Sequence, residues 1–447
     1  MNQFAMRRAT AADAEALVAF NADVLRHQDA AEPDQRTAAW TRDLAEGGHP
    51  RFAVSDFLVV EDTGTGDIVS SVCLIPQTWS YGGIEFAVGN PELVGTRADQ
   101  RGHGLVRQQF AEIHRWSAAR GDLALAIDGI PWFYRQFGYE MALALRNGCT
   151  VDSARVPPLS RDVPEEFRVR PAVDADVAFI AGTYATGAAR YLVSGCRDGV
   201  AWRYELSGRN AASMYLAQLR VIETRDGQAV GCVVHTSWLH GSVLWVVACE
   251  LMPGIVWDTV IPAVLRYLRA TGDQYAARDR NGRCERIGFW FGTEHPMSGA
   301  MRPLVPQPDP PYAWYMRVPD VPRFLRHVTP VLDRRLAASA LAEYTGELHL
   351  SFYRDGVRLG FQRGRVTDVT SWRQPFELNG VERLQPTTAP RAGAMFPDLT
   401  FLQLLFGYRS LDELEHAFAD CLVRTDEART LLLALFPKQP SNVWPVL

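Results

Sequence analysis

The sequence of 447 residues predicts two mixed α/β layer domains in tandem, followed by a smaller α+β domain. Three observations carry that expectation. Glu92–Tyr139 reads as a strand, a glycine turn opening a helix, a buried strand and a short helix. Phe167-Arg-Val-Arg-Pro-Ala-Val-Asp-Ala-Asp176 echoes Phe4-Ala-Met-Arg-Arg-Ala-Thr-Ala-Ala-Asp13, as the opening of a second copy would. Beyond residue 320, Leu348, Leu350 and Phe352 alternate with polar residues, Asp355-Gly356 turns, and Val357, Leu359 and Phe361 alternate back before two capped helices. The chain is too long for one ordinary domain, and the expected units are 1–155, 156–318 and 319–447.

Taken in order, Phe4–Asp13 is a strand passing into a helix that continues to about Arg26. Phe57–Glu61 and Ile68–Ile75 form a hairpin across Gly64-Thr-Gly66. Tyr81-Gly-Gly83 turns into Ile84–Val88, and Pro91 is expected to precede a separate core strand, Glu92–Thr96. After Gly102 and Gly104 a helix runs to Arg120, with Val106, Phe110, Ile113 and Ser117 on one face. Leu123–Ile127 is the second buried strand. Pro131 suits the first turn of a short helix and Gly138 its end. Val151–Glu166, with Pro157, Pro158 and Pro164, reads as a linker.

In the second copy, Met214–Glu223, Ala229–Trp238 and Ser242–Leu251 are strands joined by Asp226-Gly227 and His240-Gly241. Val256–Ala270 is helical and Arg286–Phe291 a further strand. His240, at a loop tip, is expected to be solvated, and Glu294-His295 to cap and pack a helix. Tyr312–Arg317, bracketed by prolines between Pro303 and Pro322, is expected to close this domain as a strand. The third unit opens with a helix from Val321 and later carries helices starting at Ser410-Leu-Asp-Glu413, a capping box, and at Thr425.

Gly102 and Gly104 allow the chain to bend with its amides outward at the start of a helix, and Arg101 and Arg107 flank the turn. Such a helix start, with unpaired donors and a positive dipole end, suits a diphosphate. Tyr134 and Tyr139 follow a buried strand expected to lie parallel to the strand before the turn. Where two such strands part, free amides and one side chain can meet a ligand; for the tyrosines, the alternative is simple core packing.

These residues resemble motifs A and B of the GNAT N-acetyltransferases. The phosphate signature Arg/Gln-x-x-Gly-x-Gly/Ala reads here Arg101-Gly-His-Gly104-Leu-Val106, with valine departing from the final small residue. The tyrosine motif, Tyr-x-x-x-Gly-aromatic, reads Tyr134-Arg-Gln-Phe-Gly138-Tyr139. More narrowly, the chain is similar to the Eis-type (enhanced intracellular survival) acetyltransferases. That resemblance implies a catalytic GNAT domain, a degenerate GNAT-like second copy lacking the phosphate signature, and a sterol-carrier-like third domain acting as a structural arm.

It also implies acetyl-CoA as cosubstrate, held by Val94, Gly95, Thr96, Arg101, Gly102, His103, Gly104, Leu105, Val106, Arg107, Gly129 and Ile130, with no metal. Tyr134 takes the role of general acid toward the departing thiolate. A phenol of pKa ~10 serves a thiol of pKa ~8.5 only with environmental help or concerted timing. The α-carboxylate of Leu447 is the first candidate for the base, carried over from the family. Glu92 is the second, against the reading of a strand-end carboxylate facing water. The implied acceptor is a primary amine, aminoglycoside-like or lysine-like, and the implied assembly a hexamer. The alternative function is a non-catalytic acyl-CoA or lipid-binding regulator on the same scaffold.

Composition narrows the rest. With 47% hydrophobic and 22% charged residues, this is a globular chain with ample core material. A net charge of −5 argues against general nucleic-acid binding. No apolar run approaches the ~20 residues of a membrane span, and Met1–Arg8 shows no export segment, so a cytoplasmic location is expected. The seven cysteines, an odd number without a Cys-x-x-Cys pair, argue against a disulfide framework or structural zinc. Lys438 is the only lysine among 46 basic residues, a bias expected of a GC-rich bacterial genome.

Overall fold

The computed structural model describes residues 3–27, 29–145, 148–159, 164–278, 282–292, 294–308, 312–373 and 392–447. Parts of four expected features lie outside these residues: Met1-Asn2, 160–163 of the linker, Thr293, and 309–311 of the proline bracket.

Three sheets organise the chain. The first contains β1 (Phe4–Arg8), β2 (Phe57–Asp62), β3 (Ile68–Tyr81), β4 (Ile84–Thr96), β5 (Ala124–Asp128) and β6 (Glu140–Leu145). Helices α1 (Ala14–Val24), α2 (Gln35–Ala45) and α3 (Leu105–Arg120) cover it. The second contains β7 (Cys149–Asp152), β8 (Phe167–Pro171), β10 (Ala217–Thr224), β11 (Ala229–Thr236), β12 (Val243–Leu251), β13 (Arg286–Phe289) and β14 (Gln307–Pro308). Helix α4 (Val177–Ala188) and a helix over Trp257–Ala276 pack on it. Strand β9 (Val193–Gly195) crosses to the first sheet and pairs with the far end of β3.

The repeat is carried by matching ion pairs. Arg7 grips Asp13 with both guanidinium nitrogens, at 2.7 and 2.8 Å, and also bonds Glu61 of β2. Arg170 grips Asp176 at 2.7 and 2.9 Å and bonds Glu223 of β10 at 2.8 Å. In both copies the aspartate also accepts a main-chain N–H three residues earlier, from Thr10 and Val173, fixing where strand becomes helix.

The two copies exchange strands, which corrects one expectation. Tyr312–Arg317 (β15) does not close the second sheet; it lies in the first, between β5 and β6. Its successive residues Trp314, Tyr315 and Met316 are all buried. A strand apolar on both faces belongs inside a sheet rather than at its edge. In return β7, whose Val151 and Asp152 are expected to begin the linker, pairs with β13 and β14 of the second sheet.

The last unit has a five-stranded sheet in the order Arg365–Ser371, Gly356–Gln362, Gly346–Ser351, Ala394–Met395, Leu422–Val423. The expected hairpin and both helix starts are present: Ser410 and Glu413 form a capping box, and Thr425 caps the helix Asp426–Leu435. This unit shares one core with the far side of the first sheet, where Tyr81 meets Phe324 and Phe406 and Phe86 meets Phe324.

The tail is docked. Residues 440–443 run beside β9, with Leu192 N–H donating to the Pro440 carbonyl (2.8 Å) and Asn442 N–H to that of Val193 (2.9 Å). Gln77 of β3 then holds Val446 through both its amide atoms, at 2.7 and 3.1 Å.

Candidate active site

The site begins with a parting of strands. Along β4, alternation with β3 turns Ala87, Gly89 and Pro91 toward β5. Ala87 accepts from Leu123 N–H at 2.9 Å, and the parallel ladder continues only through Val88↔Ala124 and Gly89↔Leu125. Pro91 has no N–H to give, so the ladder stops there. The buried Asn90 amide reaches across to the Ala126 carbonyl (3.0 Å), and β5 takes β15 as its other partner. Pro91 therefore does not separate two strands as expected. It lies inside one continuous strand and opens the gap beside it.

A bulge follows. Cys73 pairs Glu92 while Ser71 pairs Gly95, and Leu93 takes φ 51°. Past it, the pleat sends consecutive side chains to opposite faces. Leu93 joins a core with Phe20, Trp40 and Leu447, whereas Val94 packs with Phe110 and Tyr134. Gly95 sits beneath α1, where a Cβ would meet Val24 at 2.9 Å, and the Thr96 hydroxyl lies 2.8 Å from that of Ser70. The half-buried Glu92 accepts from Asn90 at 3.2 Å.

At the start of α3, Gly102 and Gly104 have φ 86° and 72°, and a Cβ on either would meet no protein atom within 4 Å. Gly104 caps the helix without a side-chain bond, and the first amide bonded back is that of Gln108, to Gly104 O at 3.1 Å. Among the described residues, none of the six amides from Gly102 to Arg107 donates a hydrogen bond. Leu105 is buried with Val60 and Val69, and the partly buried Val106 packs on the core beneath the helix. Arg101 and His103 are exposed, and Arg107 donates to Gln136 at 2.8 Å. Open space above a row of unpartnered N–H groups fits a diphosphate.

Tyr134 lies on a short 3₁₀ helix, Phe133–Phe137, which Gly138 ends at φ 82°. Its ring is 5.6 Å from Phe110 of α3, 5.1 Å from Phe133 and 6.1 Å from Tyr315 of β15. Burial, with the nearby Glu92 and Asp128 carboxylates, raises its pKa well above the ordinary value and keeps the hydroxyl protonated. Gly129 faces this ring so closely that a Cβ there would lie 1.9 Å from Cε2. The structure thus gives Gly129 a positioning part, making room for the tyrosine. Ile130 is 64% exposed and Trp132 71%, forming an apolar rim. Tyr139 is a core residue, fully buried with its hydroxyl 3.1 Å from His114.

On the other side of the gap lies a cavity of about 290 Å³. Asp128, at the end of β5, lines it together with Tyr215, Trp238, Trp290, Trp314 and Trp444. Leu447 lines it too. The tail is clamped from behind by a fully buried ionic group: Glu205 accepts from Arg197 at 2.9 Å and from Arg209 at 2.8 Å. Arg209 also bonds an oxygen of the Leu447 α-carboxylate, and Arg197 the carbonyls of Trp444 and Pro445. Burial alone would raise the Glu205 pKa, but Arg209 and Arg197 outweigh it and hold it at about 2. His49, edge-on to Tyr204 at 5.0 Å, is pushed down to about 4 by burial and by Arg209.

The predicted residues fall into two groups on opposite faces of β4. Residues 101–107, Val94, Thr96, Gly129, Ile130 and Tyr134 gather on the α3 face, whereas Gly95 faces α1 on the other. Leu447 sits on the other, and the gap beside Pro91 joins them through Asp128 and Glu92.

Sequence reasoning missed Asp128, Asn90, Gln77 and the Arg197–Glu205–Arg209 clamp; only the Asn90-Pro91 pair carried a local signal, a break in a strand. His240 is a further correction. It is half-buried against Trp238, ring centroids 3.8 Å apart, because the second sheet folds this loop over the cavity. His295 packs as expected, its Nδ1 accepting from Met297 N–H at 3.2 Å, while Glu294 is exposed.

Residues 5–142 match the family model described as an acetyltransferase (GNAT) domain. No curated protein matches the chain in sequence. Solved structures match it over nearly its whole length. A probable N-acyltransferase from Enterococcus faecalis superposes with TM-score 0.67 at 14% identity, covering 98% of each chain. A GCN5-related N-acetyltransferase from Kribbella flavida gives 0.62 at 16%, covering 98% of this chain and 97% of the other. Eis1 from Mycobacterium abscessus gives 0.57 at 14%, covering 98% of each. At these identities the likeness is one of fold.

Proposed function

We propose that this chain, whose residues 5–142 are a GNAT acetyltransferase domain, moves an acetyl group from acetyl-CoA to a primary amine. The observation that carries the reading is the row of six unpartnered amides at residues 102–107, opening a helix whose Phe110 touches the ring of Tyr134. Acetyl-CoA supplies an acetyl group already activated as a thioester. The amides and the flanking Arg101 and Arg107 hold its diphosphate. Main-chain donors on Val94–Thr96, beyond the end of the ladder, face the oxygen on which charge develops.

The amine nitrogen bonds to the acetyl carbon as the carbon–sulfur bond breaks. Tyr134 gives its hydroxyl proton to the sulfur, and the amine gives up one proton. Our two candidates for taking up that proton are the carboxylate of Leu447, which lines the cavity, and the half-buried Glu92 beside the gap. We assign Leu447 first, since Arg209, Gln77 and Arg197 fix the last residues of the tail. The second copy and the tail wall the acceptor side, the third unit serves as an arm on the first sheet, and hexamer formation follows the family resemblance.

The alternative, a non-catalytic acyl-CoA-binding protein, differs in one readout. Thiol release from acetyl-CoA with an amine panel should be seen for the wild type and fall by about 10²–10⁴ in Tyr134→Phe. Binding of CoA without any thiol release would favour the regulator, and an unimpaired Tyr134→Phe would remove Tyr134 as the acid.

A further inference from the structure

Trp132 differs from every other tryptophan of the chain. Eleven of the twelve have an aromatic ring, a histidine or a guanidinium against the indole. Trp132, 71% exposed, has no such partner among the described residues. A large apolar ring left in water beside a candidate active site marks a place where something else is bound.

Its backbone is strained as well. Phe133 N–H bonds back to the Ile130 carbonyl at 3.3 Å, closing a turn with Pro131 and Trp132 in the middle. There Trp132 takes φ 69° and ψ −31°, close to the third position of a type II turn, which glycine normally fills. A bulky residue stays in that region only where its surroundings hold it. They do so from β15: Trp132 N–H donates to the Tyr315 hydroxyl at 2.5 Å, and Tyr312 bonds the Gly129 carbonyl. The fold thus keeps an exposed indole where glycine would turn the chain at less cost.

Trp132 does not line the acceptor cavity. Its main chain is bonded to Tyr315, in the core of the α3 face, and it stands two residues before Tyr134. At the other end of the short helix Gln136 accepts from Arg107 at 2.8 Å, beside the amide row. At ~2 Å per residue the helix covers the ~10 Å between them. We propose that Trp132, with the 64% exposed Ile130 beside it, is the clasp for the thioester end of the pantetheine arm of acetyl-CoA. This rests on the acetyl-CoA reading above. The diphosphate is one end of that arm and the sulfur, at Tyr134, the other, so the arm follows the short helix and ends beside the indole. The ring closes over the arm's methylene groups and keeps water from the thioester. Adenine lies beyond the diphosphate, on the side away from Tyr134.

The test uses Trp132→Gly, which relaxes the turn and removes the ring, and Trp132→Phe, which keeps an aromatic face. The ligands are acetyl-CoA and adenosine 3′-phosphate 5′-diphosphate, which has the nucleotide end without the arm. By calorimetry Trp132→Gly should weaken acetyl-CoA about 10-fold, the factor for roughly 60 Å² of indole returned to water, and leave the nucleotide unchanged. It should melt no lower than the wild type, since glycine suits this φ, and Trp132→Phe should recover most of the affinity. The fluorescence lost in Trp132→Phe should be quenched by iodide in the free protein and shielded by acetyl-CoA. Wild-type acetyl-CoA affinity in Trp132→Gly overturns the clasp and leaves acetyl transfer standing. Equal losses for both ligands assign the ring to adenine, a changed oligomeric mass at unchanged affinity assigns it to a second copy, and a lower melting temperature makes it structural; each overturns the clasp. Acetyl-CoA binding that Trp132→Gly weakens, with no thiol release from any amine in the wild type, supports the clasp and overturns acetyl transfer.

Discussion

Gly129→Ala isolates the placement of Tyr134 from its chemistry. Gly129 lies outside the left-handed region, so alanine is compatible with its backbone. The added Cβ would lie 1.9 Å from Cε2 and 2.3 Å from Cδ2 of Tyr134. Carbon atoms pack at ~3.5–4.0 Å, so the ring has to retreat by about 1.6 Å. Phe110, Phe133, Tyr139 and Tyr315 all lie within 6.3 Å of it, centroid to centroid, and leave little room to do so. Overpacking of this kind costs ~1–3 kcal/mol, which a chain with a core of this size survives. Displacing a reacting group by ~1 Å costs about 10²-fold. Gly129→Ala should therefore lower kcat by about 10²-fold while leaving KM for acetyl-CoA unchanged, because the amides at 102–107 are untouched. Thiol release at saturating acetyl-CoA measures the effect, with thermal unfolding as the control for folding. A folded variant with wild-type kcat would refute the placement of the tyrosine.

Other expectations follow from the same geometry. Gly104→Ala forces alanine into φ 72°, at a cost of ~1–2 kcal/mol, and tilts the amide row; acetyl-CoA affinity by calorimetry should fall about 10-fold, and unchanged affinity would count against the cradle. Removing Val446 and Leu447 takes from buried Arg209 its carboxylate partner at Leu447 and frees Gln77; turnover should drop at least about 10-fold with CoA binding intact, whereas full turnover would dismiss the Leu447 carboxylate as base. Arg209→Ala leaves buried Glu205 with Arg197 as its one guanidinium partner and should destabilise the chain by about 3–5 kcal/mol in urea unfolding; a loss below ~1 kcal/mol would mean the clamp is solvated. His49, His114 and His235 are each held near pKa 4, chiefly by burial, against about 6.5 unfolded. A lowered imidazole pKa contributes stability that is complete above about 6.5 and lost as pH falls toward 4, so urea midpoints should decline through that window; a flat profile would contradict it.

Some of this protein is fixed locally and was legible from the residues alone. The φ-demanding pair Gly102 and Gly104, the strand-to-helix switches at Asp13 and Asp176, and the capping box at Ser410 depend on neighbours within a few positions. For the same reason the strand–turn–helix that presents the amides, and the short helix carrying Tyr134, could be read in order from Glu92 to Tyr139. What lay beyond reach were contacts between distant parts of the chain. Nothing local says that Tyr312–Arg317 fills a slot between β5 and β6 rather than ending the second sheet, since burial on both faces is a property of the assembled sheet. Nor does sequence order bring Arg209 to Leu447 across 238 positions, or Gln77 to Val446 across 369. The residue pattern thus determined where a glycine turn opens a helix with outward amides and where a buried tyrosine stands beside it. Tertiary packing decided what stands opposite them, because a cavity wall is built from whichever distant side chains the fold brings face to face.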